Sequence, residues 1–174
     1  MPATVTPAQD DIYTAVRAFV VGLLGSGVEC VQGLGNRVPM PVGGFVALTA
    51  ILSSRLSTNG HTYDPSGSGA VITSSAQKYT VQMDCYGPLS SDWAAILCTM
   101  WRDEYATSSM PANLQPLYAD DPLQIALVDG EEQYEQRWMI SAVLQYNAAI
   151  STAMQFFDTV TVGVIDVDVA YPPT

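Results

Sequence analysis

His61 is the single histidine of the 174-residue chain, so any histidine-dependent triad would have to use it. A Ser–His or Cys–His arrangement needs that imidazole within hydrogen-bond reach of a hydroxyl or thiol, with another group orienting it. His61 follows Asn59-Gly60 in a turn-rich stretch and reads as an exposed loop residue. Ser68 is framed as Gly67-Ser68-Gly69, without the Gly-x-Ser-x-Gly spacing of a nucleophile elbow. The run Asp129-Gly130-Glu131-Glu132-Gln133-Tyr134-Glu135 offers oxygen ligands but not the alternating Asp/Asn positions and distal Glu of an EF-hand, and reads as an acidic hairpin turn. Gly33-x-Gly35 lacks the third glycine of a dinucleotide fingerprint. A pair of carboxylates for glycoside hydrolysis leaves no sequence signature, because its pairing is spatial. Cys30, Cys85 and Cys98 are odd in number and form no Cys-x-x-Cys pair, which predicts buried free thiols. The sequence therefore offers no catalytic set, no metal site and no cofactor. The enzymatic alternative is a small hydrolase resting on His61 or an acidic pair.

Charge is more informative. The net charge is −11, and it is unevenly placed. Residues 1–102 hold six acids and five bases; residues 103–174 hold eleven acids and one base, Arg137. Such a chain lacks the clustered Lys and Arg that neutralise phosphates, and would repel nucleic acid. No apolar run is long enough to span a bilayer, and no signal peptide is evident, so the expectation is no membrane and a place in the cytosol or in a particle assembled there.

The elements that would position these residues begin with the longest one. From Asp129 to Ile150 an acidic turn runs into a strand in which Trp138, Ile140, Ala142, Leu144, Tyr146, Ala148 and Ile150 share one face. A period of two over about fourteen residues exceeds the ~5–6 of a mean strand. Thr6-Pro7-Ala8-Gln9 predicts a helix start, with Ile12, Val16, Phe19, Val20, Leu23 and Leu24 at helical spacing and Gly25 as the stop. Val28–Leu34, Phe45–Leu56 and Val71–Tyr86 read as strands, the last two as a hairpin with a Ser-Gly tip. In the third, Tyr79, Val81, Met83 and Cys85 face inward and Asp84 outward. A second helix is predicted from Ser90 or Ser91 to about Ala106, then an extended, proline-bearing connection over Ser108–Leu127. A last strand is predicted over Thr159–Ala170, with a bulge near Gly163. The predicted fold is a single α+β domain over residues 1–174. It has an antiparallel β-sheet, two helices packed on one face and a long β-hairpin arm over about 45–86.

Several phrases, in order, carry a resemblance. They are Asn36-Arg37-Val38-Pro39, Gln82–Pro88 (QMDCYGP), Asp92–Ala106 (DWAAILCTMWRDEYA), Pro116–Pro122 (PLYADDP), Gly130–Trp138 (GEEQYEQRW), Leu144–Asn147 (LQYN) and Gln155-Phe156-Phe157. Over about Asp11–Pro173 the chain resembles the neck or tail terminator proteins of contractile-tailed bacteriophages. The resemblance implies a non-enzymatic virion subunit that forms a hexameric ring. That ring would cap the tail tube, stop its growth and meet a head-side connector protein, with genomic DNA passing through the lumen without specific binding. Beside it, the residues nominate Glu131, Glu132, Glu135, Asp166 and Asp168 as an acidic channel lining. They nominate Arg37 and Arg137 as contacts between subunits, with a carboxylate of the same or the neighbouring subunit as partner for Arg137. The alternatives are a head-completion or connector adaptor of the neck and a plain binding module.

Overall fold

In the computed structural model, residues 3–35, 39, 41–66, 69–128, 134–154 and 161–163 are described. The elements are β1 (Thr4–Thr6), α1 (Gln9–Leu24), β2 (Glu29–Gln32), β3 (Phe45–Arg55), β4 (Gly60–Asp64), β5 (Ala70–Tyr86), α2 (Ser90–Trp101), α3 (Glu104–Ser109), β6 (Leu114–Ala119), β7 (Leu123–Gln124), β8 (Leu127–Val128), β9 (Tyr134–Glu135) and β10 (Arg137–Ala153). The spine is β5 against β10, antiparallel over 17 residues each, from Arg137↔Tyr86 to Ala153↔Ala70. On one flank of the spine, β7, β6 and β1 line up in turn along β10. On the other, β3 and then β4 line up along β5, and β2 closes the edge beside β3. The ladder of β2 with β3 is parallel, so the sheet is mixed rather than wholly antiparallel. A crossover from Gly33 to Gly44 supplies the length a parallel return needs.

The alternation read from the sequence places the core. Val46 and Leu48 of β3, Val81, Met83 and Cys85 of β5, and Ile140, Ala142 and Leu144 of β10 share one face and join one buried cluster. Ile12, Val16, Phe19 and Val20 of α1, with Ala94, Leu97, Cys98 and Trp101 of α2, complete that cluster. Phe19 meets Trp101 edge-on at 5.2 Å, and Nε1 of Trp101 donates to the carbonyl of Val143 at 3.2 Å. One buried aromatic thus ties the two helices together and both to the spine, its polar edge satisfied by backbone.

Local chemistry shifts several boundaries. Thr6 does not cap α1, because it pairs with Ala149 in the sheet. The cap residue is Ala8, whose N–H donates to Oδ2 of Asp11 at 2.8 Å. That is the return half of a capping box, supplied by an acid in place of Glu or Gln. The second helix breaks at Arg102-Asp103, because Asp103 accepts from the N–H of Tyr105 at 2.9 Å and starts α3. Arg102, at the break, donates twice to the carbonyl of Ala119. The proline-bearing connection contains β6 and β7, and Pro116 sits where the β6–β10 register shifts. Gly44 and Gly87 meet at the end of β3 and β5. A Cβ on Gly44 would lie 2.6 Å from Trp93, and Gly87 adopts φ +98°. Within the predicted last strand, only residues 161–163 are described, and they carry no ladder.

Beyond the core the sheet continues. Among the described residues, none from Ile51 to Lys78 and none after Tyr146 belongs to the buried cluster or packs against it. Where β3 ends, β4 takes its place along β5. One extra residue, Ile51, lies between the two registers of β3 and β5. It shifts the phase, so Ala50 faces the helices while Leu52 faces the opposite side.

Candidate functional site

The face of the sheet away from the helices carries a buried charge pair. Arg137 opens β10 and Asp84 lies one step diagonally across on β5, next to the pair Arg137↔Tyr86. Nε and Nη2 of Arg137 donate to Oδ1 of Asp84 at 3.0 and 2.9 Å. Nε2 of Gln82 donates to Oδ2 at 2.7 Å. The Asp84 side chain is only 5% exposed and that of Arg137 is 21% exposed. The guanidinium lies 5.7 Å from the centre of the Tyr86 ring, which stacks on Phe45 at 4.5 Å. Burial, with Asp84 nearby, raises the Tyr86 hydroxyl pKa above its ordinary value, and Arg137 opposes the rise. The sole base of the acidic half therefore finds a carboxylate inside its own subunit. Asp84 was readable as an outward residue of an alternating strand, but not as a buried one.

Glu135 lies at the same end of the sheet, on β9. With Gln136 it lines a shallow cleft of about 440 Å³ bounded by Pro41, Phe45 and Pro88. The same two residues line a second cleft, of about 380 Å³, beside Gln124 and Ile125. Of the other nominated residues, Arg37, Glu131, Glu132, Asp166 and Asp168 lie outside the described residues.

The outer half of the sheet has the opposite character. Across β1, residues 51–55 of β3, β4, residues 70–78 of β5 and residues 145–153 of β10, Asp64 is the one acidic residue, and Arg55 and Lys78 are the two bases. Ser, Thr, Ala, amide and aliphatic side chains, with His61, Tyr63, Tyr146 and Gly60, fill the rest. Val5 (50%) and Ile150 (41%) are exposed on one side, with Leu52 (54%) and Leu56 (51%) exposed where β3 leaves the core. The other acids among the described residues lie off these strands.

The chemical alternatives gain little. His61 is exposed on strand β4, not in a loop, and its Nδ1 lies 3.2 Å from Oγ1 of Thr73 across the ladder. No acidic side chain among the described residues hydrogen-bonds the ring. Cys30, Cys85 and Cys98 are buried and unpaired. Burial pushes Cys30 up to about 11 and Cys85 to about 12, and raises Cys98, so none is an activated thiolate. Among the described residues no His, Cys, Asp and Glu cluster has metal-holding geometry. Among them, too, no helix is long and apolar enough to cross a membrane.

No curated protein matches the sequence. A family model described as phage neck terminator protein matches residues 10–173, nearly the whole length. The chain therefore belongs to the phage neck terminator protein family, and is a structural protein of the virion's neck and tail.

Proposed function

We propose that the protein forms a hexameric ring at the head–tail neck that caps the tail tube, ends its polymerisation and joins it to the head-side connector. Its role on this reading is mechanical, not enzymatic. The observation that carries it is the family match across residues 10–173, which spans every element from α1 to β10. The charge pattern supports it. A sheet poor in acids suits contact with protein, and an acidic remainder suits a channel through which DNA slides without sticking. Glu131, Glu132, Glu135, Asp166 and Asp168 line that channel on this reading, and Arg37 and Arg137 contribute to contacts between subunits. The part of Arg137 left exposed beside Asp84 is the portion available to a neighbour.

The test is the tail-length distribution, by electron microscopy, in lysates of the parent phage lacking this gene. Headless tails of overlong or ragged length are the expected result. Tails of normal length would remove the terminator role and leave an adaptor on the connector side.

A further inference from the structure

We propose that the outer half of the sheet is the surface by which one copy of this chain seats against its neighbours, both of its faces being covered in the ring. This rests on the ring reading above and names the surface that makes it.

Two observations converge. The first is that this half of the sheet has no core of its own. Its strands run past both helices, and apolar side chains emerge on both sides. Val5 and Ile150 pair across β1 and β10 on the helix side, whereas the extra residue Ile51 turns Leu52 to the other side. A sheet with one solvated face alternates cleanly; apolar residues on both faces mark a sheet covered on both. A subunit in a closed ring has a neighbour on each side, which matches a surface with two faces to cover.

The second is charge, and it selects the occupant. Copies that each carry −11 repel unless they meet where charge is scarce. The outer sheet holds one acid, Asp64, and that carboxylate already accepts from the N–H of Ser66. A basic partner would be drawn to the acidic remainder instead. The outer sheet is thus where another copy of the same acidic chain can approach. Its 31 strand residues, each taking ~3.3 Å along the strand and ~4.8 Å across it, give roughly 500 Å² of projected area per face. Each face meets its own neighbour and is smaller than the ~800 Å² that a partner contributes to a standard interface, so the ring depends on both contacts together.

The experiment measures assembly of the full chain by sedimentation velocity across concentration, alone and with purified tail tubes. The variants are Val5→Lys with Ile150→Lys, Leu52→Lys with Leu56→Lys, and Leu123→Lys as a control exposed elsewhere on the sheet. Thermal melts establish that each is folded. Each outer-sheet pair is expected to raise the half-assembly concentration about 100-fold, as a charge buried without a partner does, while Leu123→Lys leaves it unchanged. Outer-sheet variants that assemble at the wild-type concentration would overturn this surface and leave the ring standing. A wild-type chain that stays monomeric, alone and on tubes, would overturn the ring and this surface with it. Should a lysine pair unfold the chain, Val5→Ser with Ile150→Ser gives the same reading. It should weaken assembly about tenfold, and no change would refute the surface.

Discussion

Removing the guanidinium of Arg137 should destabilise the fold far more than a surface ion pair would. In Arg137→Ala, Oδ1 of Asp84 loses both its donors, at 3.0 and 2.9 Å, while Oδ2 keeps Gln82 at 2.7 Å. The carboxylate stays where it is, 5% exposed, with two of its three hydrogen bonds gone. Breaking a fully buried pair by removing one partner costs about 3–5 kcal/mol, because a charge is left uncompensated. Arg137 is 21% exposed, so water enters part of the vacated volume, and about 2–3 kcal/mol is expected. In a domain of this size that lowers the melting temperature by about 4–12 °C. Asp84→Ala should cost less, because the freed guanidinium can turn towards solvent along its own stem. The double variant Asp84→Ala with Arg137→Ala should cost less than the two single changes summed, the non-additivity reporting a coupled pair. Urea unfolding followed by tryptophan fluorescence gives the midpoints, with an unchanged m-value as the check that only stability moved. Asp121→Ala is the internal control. Its pair with Arg102 is equally short, 2.8 Å, but 46% and 88% exposed, and its loss should leave the midpoint in place. An Arg137→Ala midpoint within about 0.5 kcal/mol of wild type would refute the reasoning, since Asp84 would then be as well solvated as Asp121.

Alkaline pH should destabilise the protein between about pH 9 and 12. Burial raises Cys30 to about 11 and Cys85 to about 12 from 9.0, and Tyr79 to about 12 from 10.0. The unfolded chain therefore loses these protons first. The associated stability is fully present below pH 9 and falls as pH climbs through the folded values. Denaturant midpoints at pH 8, 9.5 and 10.5 should descend in that order, and a flat profile would contradict the burial of these groups. Replacing Glu131, Glu132, Glu135, Asp166 and Asp168 together by Lys should slow DNA ejection or impair particle assembly, because a basic lumen holds phosphates. Wild-type infectivity and ejection kinetics in that variant would dismiss these residues as channel lining.

What the sequence made legible was the part built on long alternation. Tyr79 to Cys85 and Trp138 to Ile150 each repeat every two residues, and burial of one face leaves a single phase possible. Short edge strands have no such redundancy. The three residues of β1 read equally well as a helix cap, and only their pairing with β10 decides between the two. β6 contains Pro116 and was masked by it, because proline argues against a central strand but not against an edge. The partner of Arg137 was similarly out of reach. Being the sole base in an acidic half marks it as paired, yet which carboxylate it meets depends on the register that sets Arg137 opposite Tyr86, 51 positions earlier, and so Asp84 on the diagonal.

The outer sheet shows how one residue can hide a surface. Straight alternation through Val46, Leu48, Ala50 and Leu52 puts all four on the core face, and a reader would assign Leu52 to the interior. The structure inserts Ile51 between the registers, and the phase reverses after it. Val46 and Leu48 are buried, while Leu52 is 54% exposed on the far side. An aliphatic residue there gains nothing from the subunit's own core, and costs solubility unless something covers it. A bulge that turns apolar side chains out of a core is a re-aiming device, most often found where a sheet meets something else. Leu52→Ser should accordingly leave the melting temperature of the isolated subunit nearly unchanged, because the side chain is already half in water. The same substitution at Leu48, 2% exposed two turns of the pleat earlier, should cost several kcal/mol. The contrast separates a residue kept for folding from one kept for contact, using stability alone.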